Sequence, residues 1–165
     1  MTVINNVMTV IKDMRNSAEA PAVSDAVSPA GPRILVIDDD AVHRAIICKL
    51  AAKVGFYPVE AENCGDVVRL TSVGDFACVT LDLSLGERVG TEVLLHFSLC
   101  RFRAPIIILS GADPQVARSA FEFGQSLDLD MVDPVGKPVS PAGLRERLAT
   151  VFEDLQSKQQ AALPA

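Results

Sequence analysis

The clearest pattern in the chain begins at Arg33, where Ile34 to Ile37 run unbroken into three aspartates, Asp38, Asp39 and Asp40. A short aliphatic run of this kind suits a strand buried on both faces of a parallel sheet, and the acidic residues mark the end where a site can open. Val42, Ile46, Ile47, Leu50 and Val54 then recur at helical spacing, and the pattern stops at Gly55, a favoured residue just past a helix end. The alternation repeats. A short strand near Tyr57 to Ala61 precedes a helix from about Cys64 to Ser72, and a strand from Phe76 to Leu81 leads to Asp82. Gly90 falls in the loop or first turn before a helix over Thr91 to Leu99. Pro105 to Leu109 predicts a fourth buried strand ending at Ser110-Gly111, followed by a helix from Pro114 to Phe123. A fifth strand near Met131 to Val135 reaches Lys137-Pro138, and the last helix runs from Ser140 or Pro141 to about Leu155. Strands alternating with helices imply an open parallel α/β sheet covered on both faces.

The flanks differ in texture. Residues 1–16 place Ile4, Val7, Met8, Ile11 and Met14 at helical spacing, which predicts either a short amphipathic helix or a frayed tail. Such a helix would suit docking on a partner or on a second copy of the chain, making a homodimer. Residues 17–32 turn to Ala, Ser and Pro with no periodic apolar face and read as a linker. The folded domain is therefore expected over residues 33–155, with a polar tail over 156–165.

Composition adds exclusions. The formal net charge is −6 and no basic stripe is present, which argues against nucleic acid as a partner. Arg101 and Arg103 read as solvated surface. No apolar run is long enough to span a bilayer, and no signal-peptide pattern opens the chain. Cys48, Cys64, Cys78 and Cys100 form no C-x-x-C pair, so they read as reduced, mostly buried small hydrophobes in a cytoplasmic protein.

The polar residues at the strand ends carry the chemistry. Ligands of open α/β sheets bind outside the carboxyl ends of the strands. Asp38 and Asp39 end the first strand, Asp82 the third and Ser110 the fourth, while Lys137 follows the fifth. Clustered carboxylates need a counter-charge, and Mg²⁺ suits one or two carboxylates plus waters and phosphate oxygens. Asp82 could then attack phosphorus, with Lys137 supplying a point charge and Ser110 a hydroxyl donor. Each residue taken alone has a plainer reading. Asp38 to Asp40 could simply cap the next helix, a role assigned here to Asp40, and Asp82 or Ser110-Gly111 could be ordinary turn residues.

Taken together, Ile34-Leu35-Val36-Ile37-Asp38-Asp39-Asp40, Leu81-Asp82-Leu83-Ser84-Leu85 with Gly90 beyond, Ile107-Ile108-Leu109-Ser110-Gly111 and Gly136-Lys137-Pro138 resemble the receiver domain of two-component response regulators. The resemblance covers Arg33 to Leu155. It implies a flavodoxin-like (βα)5 doubly wound sheet with strand order 2-1-3-4-5 and phosphorylation by a histidine kinase or phosphotransfer protein. It also implies Asp82 as phosphoacceptor, Ser110 as switch hydroxyl, Lys137 as phosphate lysine and a cis Lys137-Pro138 bond. Mg²⁺ would be held by Asp38, Asp39, Asp82 and the backbone carbonyl of Ser84.

Three positions depart from the family pattern. Leu85-Gly86 stands where Met-Pro is frequent, Pro134 where an aromatic usually lies, and the stretch from Phe123 to Asp133 is longer. With about ten residues after the last helix, the expectation is a stand-alone receiver that switches contacts with a downstream protein or relays phosphate. It would be no enzyme beyond its own phosphorylation and dephosphorylation. The competing readings are a receiver-like interaction module that no longer uses phosphate, and an aspartate-nucleophile phosphohydrolase. The latter is weakened because Ser84 stands where a second acid would be needed. A flavin or nucleotide binder would want a Gly-rich first loop, and this one is acidic.

Overall fold

The computed structural model describes residues 31–85, 88–111 and 113–161. The expected helix or tail over residues 1–16 and nearly all of the 17–32 linker lie outside the described residues. Five parallel strands form the sheet: β1 (Arg33–Ile37), β2 (Tyr57–Ala61), β3 (Cys78–Asp82), β4 (Ile106–Ser110) and β5 (Met131–Gly136). Their order is 2-1-3-4-5, the flavodoxin-like arrangement. The helices are α1 (Ala41–Val54), α2 (Cys64–Val73), α3 (Thr91–Leu99), α4 (Pro114–Ser126) and α5 (Pro141–Ala161).

Alternation along the strands sorts the core into two layers. Ile34, Val36, Cys78, Ile107 and Leu109 meet Ile47 and Ala51 of α1 and Leu144, Leu148 and Val151 of α5. Leu35, Ile37, Val79, Leu81 and Ile106 face the other way, onto Val67 of α2 and Val93, Leu94 and Phe97 of α3. Ile108 and Leu83 complete that side against Ala120 and Phe121 of α4. The central strands β3 and β4 are buried along their whole length, which is why they carry almost no polar residue before their ends.

Two caps fix the direction of α1, the helix that follows the acidic loop. The Asp40 side chain accepts the N–H groups of Val42 and His43 at 2.7 and 3.0 Å, as expected of an N-cap. Gly55 ends the helix at φ 116°, a conformation open to glycine, and lies under the Phe152 ring of α5. The amide of His43, then that of Val42, holds the Asp40 carboxyl below its ordinary value of 3.8. A depressed carboxylate stabilises the fold above its unfolded pKa and loses that contribution as pH falls through the folded one. Asp40→Ala is therefore expected to lower the urea midpoint at neutral pH, with the difference vanishing in strong acid. Equal differences at pH 7 and well below the range of the capping carboxylate would remove the charge from the explanation.

The structure departs from the sequence reading in several places. α5 extends six residues past Leu155, through Ala161. The Gln, Ser and Lys of that stretch carry no apolar face, yet several are good helix formers, so the expected polar tail is largely helix. Cys100 is exposed and Cys48 and Cys64 only partly buried, leaving Cys78 as the one fully buried thiol. Burial pushes the Cys78 thiol up to about 12 and that of Cys48 to about 11, so neither offers a ready thiolate. Between residues 123 and 133, α4 gains a further turn and Leu129 returns to the core. Pro134 then falls in an irregularity of β5: Ile107 pairs with Val132 and Leu109 with Val135, leaving Asp133 and Pro134 opposite Ile108. An edge-strand bulge is where a residue lacking an N–H is tolerated.

Candidate phosphoacceptor and metal site

The strand ends converge as the topology requires. Asp38 lies just past β1, Asp82 ends β3, Ser110 ends β4 and Lys137 follows β5, all at the carboxyl edge of the sheet. Carboxylate oxygens of Asp38, Asp39 and Asp82 lie within 4.8 Å of one another. Asp38 is fully buried and Asp82 nearly so, while Asp39 is exposed and opens the cluster to solvent.

Lys137 closes the site from across the sheet. Its ammonium donates to Asp38 Oδ2 and to Asp82 Oδ2, each at 2.9 Å, so one cation is shared by two buried carboxylates. Burial alone would push the Lys137 pKa down, but the hydrogen bonds and charges of Asp82 and Asp38 outweigh it and hold the pKa above 10.5. The lysine is charged throughout the physiological range. The Lys137-Pro138 peptide is cis, as the resemblance implied.

Backbone groups fix the carboxylates. Asp38 Oδ1 accepts the N–H of Asp40 at 2.9 Å, and Asp82 Oδ1 accepts the N–H of Ser84 at 3.2 Å. The Ser110 carbonyl accepts the Lys137 N–H at 2.7 Å, which ties the end of β4 to the loop carrying the lysine. Ser110 is itself buried at 2 % exposure, and Ser84 is exposed beside Asp82. All of the residues singled out from the sequence therefore sit at this one edge.

Two others, Arg44 and Gly90, bear on the site and were given no role in it from the sequence. Arg44 donates to the carbonyl of Asp38 at 2.7 Å and to Glu60 Oε2 at 2.9 Å, clamping the acidic loop to β2. Nothing in the spacing of Arg44 distinguishes it from a solvated helix residue. Gly90 makes the third contact: its N–H donates to the Leu83 carbonyl at 2.9 Å, so the chain turns back against the end of β3. His43 is half exposed, with Nδ1 3.8 Å from Asp40, and does not enter the cluster. His96 lies away from the site, its Nε2 3.0 Å from the Thr71 hydroxyl between α2 and α3.

A doubly wound five-stranded sheet with an acidic, lysine-bridged pocket at its carboxyl edge is the arrangement of a receiver. The chain belongs to the response regulator receiver domain family, whose model matches residues 34–149. It is 30% identical over 128 residues to a protein-glutamate methylesterase/protein-glutamine glutaminase of Koribacter versatilis, covering 76% of this chain and 34% of that protein. It is 29% identical over 123 residues to the phosphate regulon transcriptional regulatory protein PhoB of Escherichia coli, covering 73% of this chain and 51% of that one. The chain thus spans between a third and a half of these curated relatives.

Solved structures agree on the fold. A CheY-like receiver domain protein of Methanospirillum hungatei matches with a TM-score of 0.66 at 21% identity, covering 78% of this chain and 98% of that one. A response regulator of Burkholderia pseudomallei, solved with a phosphorylated aspartic acid, calcium ion and citrate, matches with a TM-score of 0.60 at 22% identity, covering 81% and 76%.

Proposed function

We propose that this receiver accepts a phosphoryl group on Asp82 in a Mg²⁺-dependent reaction and thereby switches contacts with a downstream protein or passes the phosphate onward. The observation that carries this reading is the lysine bridge: a nearly buried Asp82 carboxylate held by Lys137 beside two further carboxylates. Such a set suits a hard divalent cation, with Asp38, Asp39 and Asp82 as carboxylate ligands and the Ser84 carbonyl as a further oxygen. When bound, Mg²⁺ supplies positive charge for the phosphoryl oxygens. That a relative was solved with a phosphorylated aspartic acid and a calcium ion supports the same reading.

A carboxylate oxygen of Asp82 forms the new O–P bond while the bond from phosphorus to the donor breaks. The donor nitrogen of a phosphohistidine, or the acetate of acetyl phosphate, leaves with the electron pair. Lys137 is already aimed at this carboxylate, so the charge it places on the phosphoryl oxygens needs little reorganisation. Ser110 would donate its hydroxyl to a phosphoryl oxygen only after transfer, and that contact would favour the phosphorylated conformation. Val42 and Ile46 are exposed apolar residues on the first turns of α1, beside the acidic loop, and would receive a helical phosphodonor such as a histidine kinase or phosphotransfer protein. The net charge makes a protein a better partner than nucleic acid. Among the described residues no helix is long and apolar enough to cross a membrane, and the free cysteines suit a cytoplasmic setting.

Intact-mass spectrometry with acetyl phosphate and Mg²⁺, repeated with beryllofluoride and a histidine kinase preparation, tests the reading. The expected result is one phosphoryl adduct that disappears with EDTA and in Asp82→Asn. An adduct that survives Asp82→Asn would move the acceptor elsewhere, and no phosphoryl adduct from acetyl phosphate or the kinase, with no binding of beryllofluoride, would leave a receiver-shaped module without the chemistry.

A further inference from the structure

The ladder between β1 and β2 ends at Ile37 and Ala61, one residue before the acidic loop. Beyond it, Asp38 is held at three points. Its N–H donates to the Ala61 carbonyl at 3.2 Å, and its Oδ1 accepts the Asp40 N–H at 2.9 Å. Its carbonyl accepts Arg44 Nη1 at 2.7 Å, while Nε of the same guanidinium donates to Glu60 Oε2 of β2 at 2.9 Å.

Helix formation does not account for this arginine. Arg44 closes the first turn of α1, its N–H on the Asp40 carbonyl at 2.9 Å, and that end of a helix favours an anion over a cation. A solvated arginine would extend into water, yet this side chain is only 12% exposed, against 55% for Glu60. An ion pair with so exposed a glutamate contributes little by itself. The bond to the Asp38 carbonyl is the one with a consequence for the site.

We propose that Arg44 is a positioning residue for Mg²⁺, presenting the Asp38 and Asp39 carboxylates by fixing the peptide that joins them. The Asp38 carbonyl and the Asp39 N–H share one rigid plane, so holding the oxygen sets the direction in which Asp39 leaves β1. Asp39 is the exposed member of the cluster and lies two residues past the end of that strand. The guanidinium uses two different N–H groups of one plane, a fork that an ammonium does not reproduce. Glu60 balances its charge, so the clamp sets geometry without adding net repulsion toward a cation. The proposal rests on the Mg²⁺-dependent reading of the cluster, and Arg44 acts through Asp38 and Asp39.

Mg²⁺ titration of the full chain, followed by the amide shifts of Asp39 and Ser84, tests it. Charge alone and positioning predict opposite signs. Arg44→Met removes a cation beside the carboxylates, which by Coulomb attraction alone would tighten Mg²⁺ binding. Positioning predicts binding weaker by about 10-fold, the low end of the usual loss when a group that orients a metal ligand is removed. Phosphorylation by acetyl phosphate should slow at limiting Mg²⁺ and recover at saturating Mg²⁺. Arg44→Lys keeps the charge without the fork and should recover only part of the affinity. Binding by Arg44→Met as tight as the parent's, or tighter, overturns the proposal, as does a rate deficit that persists at saturating Mg²⁺. A lower melting temperature in EDTA with unchanged affinity overturns it too, by reducing Arg44 to a structural clamp. Failure of the unaltered chain to bind Mg²⁺ is a separate result, which overturns the metal reading itself and the proposal with it.

Discussion

Lys137→Met is expected to destabilise the protein by about 2–4 kcal/mol at pH 7 in EDTA, because it leaves two buried carboxylates without their shared cation. Asp38 and Asp82 each lie 2.9 Å from the same ammonium, at side-chain exposures of 0% and 4%. Methionine fills nearly the same volume, so the loss reports the missing charge and not a cavity. The strain can be relieved by taking up a cation, and this sets the signature. The destabilisation should shrink on adding Mg²⁺, which therefore raises the melting temperature of the variant more than that of the unaltered protein. Phosphoryl transfer from acetyl phosphate should slow by about 10²-fold, the usual size for losing one positioned donor to a developing charge. Urea melts at pH 7 with and without Mg²⁺ provide the check. A variant that melts like the parent in EDTA would mean that the lysine bridge contributes nothing to the resting fold.

The site was legible because polar residues are scarce at the ends of buried strands. An aliphatic run that stops at Asp38 or Asp82 announces a strand end, and the parallel topology brings such ends to one edge. What the sequence leaves out is the second layer of contacts. Arg44 reaches the Asp38 carbonyl from the first helix, yet an arginine on a helix face is ordinary in a sequence. The ion pairs of Lys137 span 99 and 55 positions along the chain, and no local pattern encodes that both carboxylates share it.

The fold was legible where side-chain polarity and backbone pairing agree. They part at the edges. The sequence reading ends the third and fourth strands at Leu81 and Leu109, because Asp82 and Ser110 are polar. The ladder continues one residue further, pairing Asp82 with Leu109 and Ser110 with Gly136. Phe76 errs the other way: it is buried and apolar, but packs under the Arg33 guanidinium outside the ladder. The bulge opposite Ile108 was likewise invisible, since Pro134 signals an edge strand or an irregularity without saying which. A short antiparallel ladder, Ser84–Leu85 with Arg88–Val89, carries the chain from Asp82 back to Gly90 and is too brief to leave a periodicity.

That return path makes Gly90→Ala damaging to the site. Gly90 has φ −55° and needs no left-handed conformation, so the objection to a side chain is purely one of space. A Cβ there would lie 2.8 Å from the Asp82 carbonyl oxygen and 2.8 Å from Leu83 Cα. Both neighbours are main chain at the end of a buried strand, and neither can rotate away. Either α3 shifts outward, disturbing Val93 and Leu94 in the core, or the end of β3 shifts and takes the Asp82 carboxylate off Lys137. Overpacking of this kind costs about 1–3 kcal/mol. Phosphorylation should fall by more than stability alone explains, because small displacements of a reacting group are costly. Gly143→Ala is the control: its Cβ would meet only the Ser140 side chain, at 3.7 Å, and alanine is the better helix former. Gly143→Ala should be neutral or stabilising in a urea melt, with phosphorylation intact. If Gly90→Ala behaves the same way, the close approach at the end of β3 does not position Asp82.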